Sequence, residues 1–178
     1  SNLARLEQEC GDAAANGAIA GLRLAGYVGA MLIAFVALVA LANDALGALG
    51  GLVGIENLSF QGILGLVFAP LGWLMGVPAD EATKVGSLLG VKTVLNEFLA
   101  YQQLAGMVQD GELSRRAAVL ASYALCGFAN FGSLAILLGG LGGMAPSRRG
   151  EIASMGLRSI LAGTLATLMA GCWAGILL

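Results

Sequence analysis

The chain has no histidine, only 11% charged residues, and three cysteines among 178 residues. Without histidine, the commonest general base, the preferred zinc ligand and the Ser-His triad are all missing. Cys10, Cys126 and Cys172 lack the paired spacing of a metal site or disulfide framework, so they read as packing residues. No Gly-x4-Gly-Lys-Ser/Thr loop is present, and the glycine-rich run at 139–143 has no lysine, so ATP does not power this chain from within. The net charge is −2, and no basic patch could follow a phosphate backbone. Nucleic acid is therefore not an expected partner, and no covalent cofactor is expected.

What the sequence does contain is apolar. Hydrophobic residues make up 58% of the chain and the mean hydropathy is +0.85, whereas a soluble domain carries about 45–50% apolar and about 25% charged residues. That balance excludes a soluble domain and a disordered tail, and makes the lipid bilayer the first partner. The period-two alternation of an outer-membrane barrel is absent, so the expected class is an all-α integral membrane protein. The chain starts at Ser1 without methionine, and residues 1–23 hold no apolar signal core. A piece of a longer protein is expected.

Charge-poor windows fall at 24–43, 57–79, 85–109, 117–147 and 159–178. The first and last suit single spans of a core roughly 30 Å thick. The window at 117–147 would make a helix about 46 Å long. Its middle reads Cys126-Gly127-Phe128-Ala129-Asn130-Phe131-Gly132-Ser133, a run of weak helix formers whose side chains compete for backbone bonds. A break over 127–132 is the sharp reading, with Asn130 turned into the protein. An ordinary span whose Gly and Ser pack against neighbours is the bland one. The window at 85–109 contains Lys92 and Glu97, and a carboxylate at mid-depth costs roughly 3 kcal/mol. Two arms, about 83–94 and 97–107, would each be roughly 16–18 Å long, half a bilayer, with Asn96-Glu97 at the tip of a hairpin. The competing reading is a buried Lys92–Glu97 ion pair, for which a spacing of five is poor on one helical face. Short broken helices with polar groups at mid-membrane point towards a secondary carrier.

At these residues the chain resembles the concentrative nucleoside transporters. The resemblance rests on Asn96-Glu97-Phe98-Leu99-Ala100-Tyr101, on the run from Ser122-Tyr123 through Gly132-Ser133, and on Gly139-Gly140-Leu141-Gly142-Gly143-Met144-Ala145-Pro146. Weaker echoes lie at 13–17, 68–71 and 170–177. It implies one half of an inverted-repeat symporter that moves nucleosides inward on a Na+ or H+ gradient, as a homotrimer in the inner membrane. The implied organisation is a cytoplasmic lead-in at 1–23 and a scaffold transmembrane helix at 24–43. A membrane-surface helix at 58–77 and a re-entrant hairpin at 83–107 follow, then a broken transmembrane helix at 117–145 and a last one at 149–178.

The resemblance also assigns substrate contacts. Glu97 takes the place of the hairpin-tip carboxylate, Asn130 and Ser133 those of the broken helix's ribose contacts, and Phe128 that of the aromatic beside the substrate. The chemistry suits: an ionised carboxylate accepts from two vicinal hydroxyls, an amide both donates and accepts, and a phenyl ring covers an apolar ring face. The family's first hairpin, its partner helix and its better-known sodium site have no counterpart in the chain. An N-terminal half is thus an implied partner, and the chain alone would not transport. Rival readings are a non-transporting gate-type or assembly subunit and a carrier of another hydroxylated solute. An enzyme is the weakest option, because Glu97 has no second acid or histidine to work with. Arg148, Arg149 and Arg158 form the one net-basic connector, so positive-inside bias places it in the cytoplasm, with the neutral 110–116 loop outside.

Overall fold

The structure, a computed structural model, describes residues 2–54 and 58–178. Asn57, where the second apolar window begins, lies outside the described residues. All regular elements described are helical: α1 Asn2–Val53, α2 Phe60–Leu74, α3 Ala82–Val94, α4 Glu97–Gln109, α5 Arg115–Leu125, α6 Phe131–Met144 and α7 Arg149–Leu177, with a 3-10 turn at Pro146–Arg148 before α7. The chain divides into two compact units, 1–45 and 46–178. The first consists of α1 up to Ala45, whose Leu22, Ile33 and Leu41 stand exposed. Apolar side chains in such numbers belong against lipid or protein.

In the second unit, helix length carries the organisation. α2 has 15 residues, α3 and α4 have 13 each, α5 has 11 and α6 has 14. At 1.5 Å per residue these are roughly 16–23 Å long, short of a hydrocarbon core about 30 Å thick. Among the described residues one helical stretch, Pro146–Leu177, is long and apolar enough to cross a membrane. The chain ends α3 and restarts α4 within two residues, Leu95 and Asn96, and it ends α5 at Leu125 and restarts α6 at Phe131.

α3 lies at the centre, buried continuously from Val85 to Lys92. That depth depends on small residues. A Cβ on Gly86 would stand 2.6 Å from both Ala69 N and Gly65 O of α2, so the two backbones touch, as small-residue interfaces between membrane helices allow. α2 tolerates Pro70 in its interior, although proline removes one backbone donor.

Polar bonds pin the hairpin at its base. The Glu81 carboxylate accepts from Ser114 N at 2.8 Å and from Ser114 Oγ at 2.7 Å, just where Ser114 caps α5. Lys84 Nζ donates to Glu112 O at 3.0 Å. Arg116 donates to Gly76 O at 3.2 Å and to Gly175 O at 2.8 Å, tying the end of α2 to the end of α7. Higher on the arm, the Tyr101 hydroxyl donates to Ser122 O at 2.6 Å, joining α4 to α5. Between base and tip the arms are thus held against neighbours that also carry the second break.

Candidate substrate site at two helix breaks

Both breaks are built by the same local device. At the hairpin tip Asn96 has extended backbone (φ −168, ψ 168), and its side-chain oxygen accepts from Leu99 N at 2.9 Å. At the second break Asn130 is likewise extended (φ −145, ψ 165), and its Oδ1 accepts from Ser133 N at 2.6 Å. Asparagine is among the best N-caps because its oxygen satisfies an orphan donor of the first turn. Each helix therefore restarts directly after an asparagine. This corrects the expected extent of the break: 127–132 contracts to Cys126–Asn130, with Gly132 inside the first turn of α6. The cap accounts for the difference, since it makes helix favourable from Phe131 onward despite the glycine.

The two breaks meet through one side-chain pair. Asn130, fully buried, donates from Nδ2 to Glu97 Oε2 at 2.7 Å. The orientation of this amide is fixed by its partners. Oδ1 must face the Ser133 N–H and Nδ2 must face a carboxylate, so the opposite flip would break both bonds. Glu97 is itself the first residue of α4, where the helix dipole favours a negative charge by about 0.3–1 kcal/mol. A Cβ on Gly132 would stand 3.3 Å from Leu95 O, so the start of α6 rests against the backbone of the hairpin tip. Glu97 is half-buried, and among the described residues its carboxylate accepts from Asn130 through Oε2 and not through Oε1.

The four expected contact residues are therefore not all in one place. Glu97, Asn130 and the Ser133 backbone form one connected chain of hydrogen bonds. Phe128, Asn130 and Ser133 line an open cavity of about 340 Å³ with Leu134, Ser159, Ile160 and Gly163. Glu97 is not part of that lining, and Phe128 is 73% exposed.

Lys92 follows neither sequence reading fully. It is 1% exposed, but its ammonium is bound elsewhere than to Glu97. Nζ donates to Ala124 O and to Thr167 Oγ1, both at 3.0 Å. Ala124 O is one of the carbonyls left without a helical partner where α5 ends, and a cation there is worth up to about 2 kcal/mol in partly buried geometry. Thr167 Oγ1 in turn donates to Thr164 O at 3.0 Å, so its lone pairs face the lysine. Thr167 escaped the sequence reading. The signal was the pair Thr164 and Thr167, i and i+3 on one face of an apolar helix.

An all-helical membrane protein in which a polar hairpin tip meets a broken helix has the architecture of one half of a secondary transporter. The family model described as Na+ dependent nucleoside transporter C-terminus matches residues 3–175, and the chain belongs to this family, the concentrative nucleoside transporters. It is 53% identical over 165 residues to YutK, an uncharacterized transporter of Bacillus subtilis (93% of this chain, 40% of that protein). It is 45% identical over 168 residues to the nucleoside permease NupC of Helicobacter pylori, with the same coverage of 93% and 40%. Among solved structures, CNTnw in an inward-facing substrate-bound state aligns at TM-score 0.86 and 47% identity, over 92% of this chain and 40% of that one. The chain thus spans about 40% of the length of these relatives, which are transporters rather than enzymes.

Proposed function

We propose that the chain supplies the ribose-binding side of a cation-coupled nucleoside carrier in the inner membrane. The observation that carries this reading is the 2.7 Å bond between Asn130 and Glu97, which joins the two helix breaks. It leaves an acceptor oxygen and the Ser133 hydroxyl for a ligand that presents neighbouring hydroxyl groups. The name of the Helicobacter relative supports a nucleoside as that ligand, and the description of the family supports Na+ over H+ as the coupling ion. Partners in this reading are an N-terminal half that carries the other hairpin and the main cation site, and two further copies in a homotrimer. The elements take these roles: α2 lies along the membrane surface, α3 and α4 form a re-entrant hairpin, α5 and α6 form a broken transmembrane helix, and α7 spans. Radiolabelled uridine uptake by the complete carrier in proteoliposomes tests this. Accumulation above the bath concentration is expected under an inward Na+ gradient. Uridine that binds but does not accumulate under a Na+ or an H+ gradient would leave the non-transporting subunit as the better reading.

In this arrangement the 3-10 turn at Pro146–Arg148 and the start of α7 face the cytoplasm. Arg148 and Glu151 pair there through two 2.8 Å bonds. Arg149 and Arg158, both in α7, keep this end of the helix basic, and acidic neighbours weigh little in positive-inside bias. The turn after α4 faces outward. With Cys10, Cys126 and Cys172 replaced by alanine, a cysteine at Asp110 is expected to react with an impermeant maleimide added to intact cells. A cysteine at Gly150 is expected to stay protected. Asp110 is preferred to its neighbour because Gly111 has φ +69, where a side chain is strained. The reverse labelling pattern would overturn the topology.

A further inference from the structure

Carbonyl ends of half-helices, joined by side-chain oxygens, are where broken-helix transporters hold monovalent cations. The carbonyl end of α5 is such a place, and the structure puts a covalently attached cation in it. Among the described residues Lys92 is the largest fully buried side chain. It spends two of its three ammonium protons on Ala124 O and Thr167 Oγ1, at 3.0 Å each. The hydroxyl is turned to receive it, because its own proton goes to Thr164 O at 3.0 Å. The break closes over the site at Gly127. A Cβ there would collide with Thr167 Cγ2 and come within 3.9 Å of Lys92 Nζ.

We infer that the Lys92 ammonium is a resident replacement for a dissociable cation: it fills an oxygen-lined site that would otherwise accept a small monovalent cation. This rests on the carrier reading for its meaning, since it makes this break a place of fixed charge that the transport cycle neither loads nor empties. The geometry itself does not depend on that reading. Lys92 sits about one turn before the hairpin tip and holds the end of α5, and α5 leads through the break into Asn130. It is a positioning residue for the Glu97–Asn130 contact, acting through charge.

Two variants of the full assembly test this, each followed by thermal melting in detergent and by uridine binding. Lys92→Ala removes the ammonium and leaves its oxygen ligands and its space. A lowered melting temperature is expected, raised again in a saturable way by ethylammonium but not by tetramethylammonium, whose four methyl groups leave no N–H to donate. Lys92→Gln keeps an N–H donor without charge, on a side chain one bond shorter. It is expected to fold, to bind uridine at least about tenfold more weakly than wild type, and to gain nothing from ethylammonium because its side chain occupies the space the ethyl group would need. Lys92→Ala protein that folds but ignores every small ammonium ion would overturn the inference. If Lys92→Ala yields no protein, Lys92→Gln decides: affinity equal to wild type would show that hydrogen bonding, not charge, is what the site needs. The melting readout requires no nucleoside. Failure of wild type to bind uridine would therefore strike the carrier reading alone, and failure of ammonium rescue would strike this inference alone.

Discussion

Replacing Glu97 by glutamine is expected to weaken uridine binding to the complete carrier at least about tenfold. The substitution keeps shape and length, so packing at the hairpin tip should survive. What changes is the polarity of one atom. The Asn130 amide must still donate to an acceptor at the position of Glu97 Oε2, so the single carbonyl oxygen of the glutamine turns to meet it. Its NH2 then occupies the position of Oε1, where the carboxylate offered an acceptor, and it faces the ligand as a donor. Charge-assisted hydrogen bonds are worth about 1.5–3 kcal/mol each, and about 1.4 kcal/mol is one decade of affinity. A nucleoside without the two ribose hydroxyls never made those bonds and should lose much less. Equilibrium binding of uridine and its 2′,3′-dideoxy analogue to wild type and variant separates the possibilities. Equal losses for both ligands would mean that Glu97 serves the fold or the coupling ion rather than the sugar.

Asn130 should prove the more costly residue for stability, because one side chain serves two partners. In Asn130→Ala, α6 loses its N-cap, typically about 1 kcal/mol. A carboxylate oxygen also loses its buried donor, a further 1–3 kcal/mol or so. A combined loss of roughly 2–4 kcal/mol is a large share of the 5–15 kcal/mol typical of a folded protein. Asn130→Ser separates the two roles: serine caps as well as asparagine does, but it is too short to reach Glu97. About half the loss in stability should return. Asn130→Asp also caps, but sets a second carboxylate where a 2.7 Å bond now stands, and two like charges at that range cannot both ionise without cost. The expected order of melting temperatures is wild type, then serine, with alanine and aspartate lowest. An aspartate variant more stable than the serine variant would show that Glu97 and Asn130 are not in contact in the working protein.

Much of this was legible along the chain because it is local. Asn96 and Asn130 are helix breakers in sequence and helix starters in space, and their capping bonds reach only three residues ahead, to Leu99 and Ser133. The expected hairpin arms, about 83–94 and 97–107, differ by one or two residues from α3 Ala82–Val94 and α4 Glu97–Gln109. The end of the second break was less legible. Glycine weighs against helix by propensity, which argued for a break reaching Gly132, but propensity does not include a cap that outweighs it. The cost of a carboxylate in the middle of an apolar window was also readable from the sequence, and it pointed to a partner for Glu97.

Which partner it found was decided in three dimensions. Spacing arithmetic along one helix could weigh Lys92 against Glu97, five residues on. It had no means of weighing Ala124 and Thr167, which lie 32 and 75 residues away and accept the ammonium. Nor could it show that Asn130, 33 residues beyond Glu97, would spend its amide on that carboxylate. Period and propensity describe how a segment arranges its own backbone. A buried charge is satisfied by whatever donors or acceptors the packing brings within about 3 Å, and here the packing brought together two broken helices and α7.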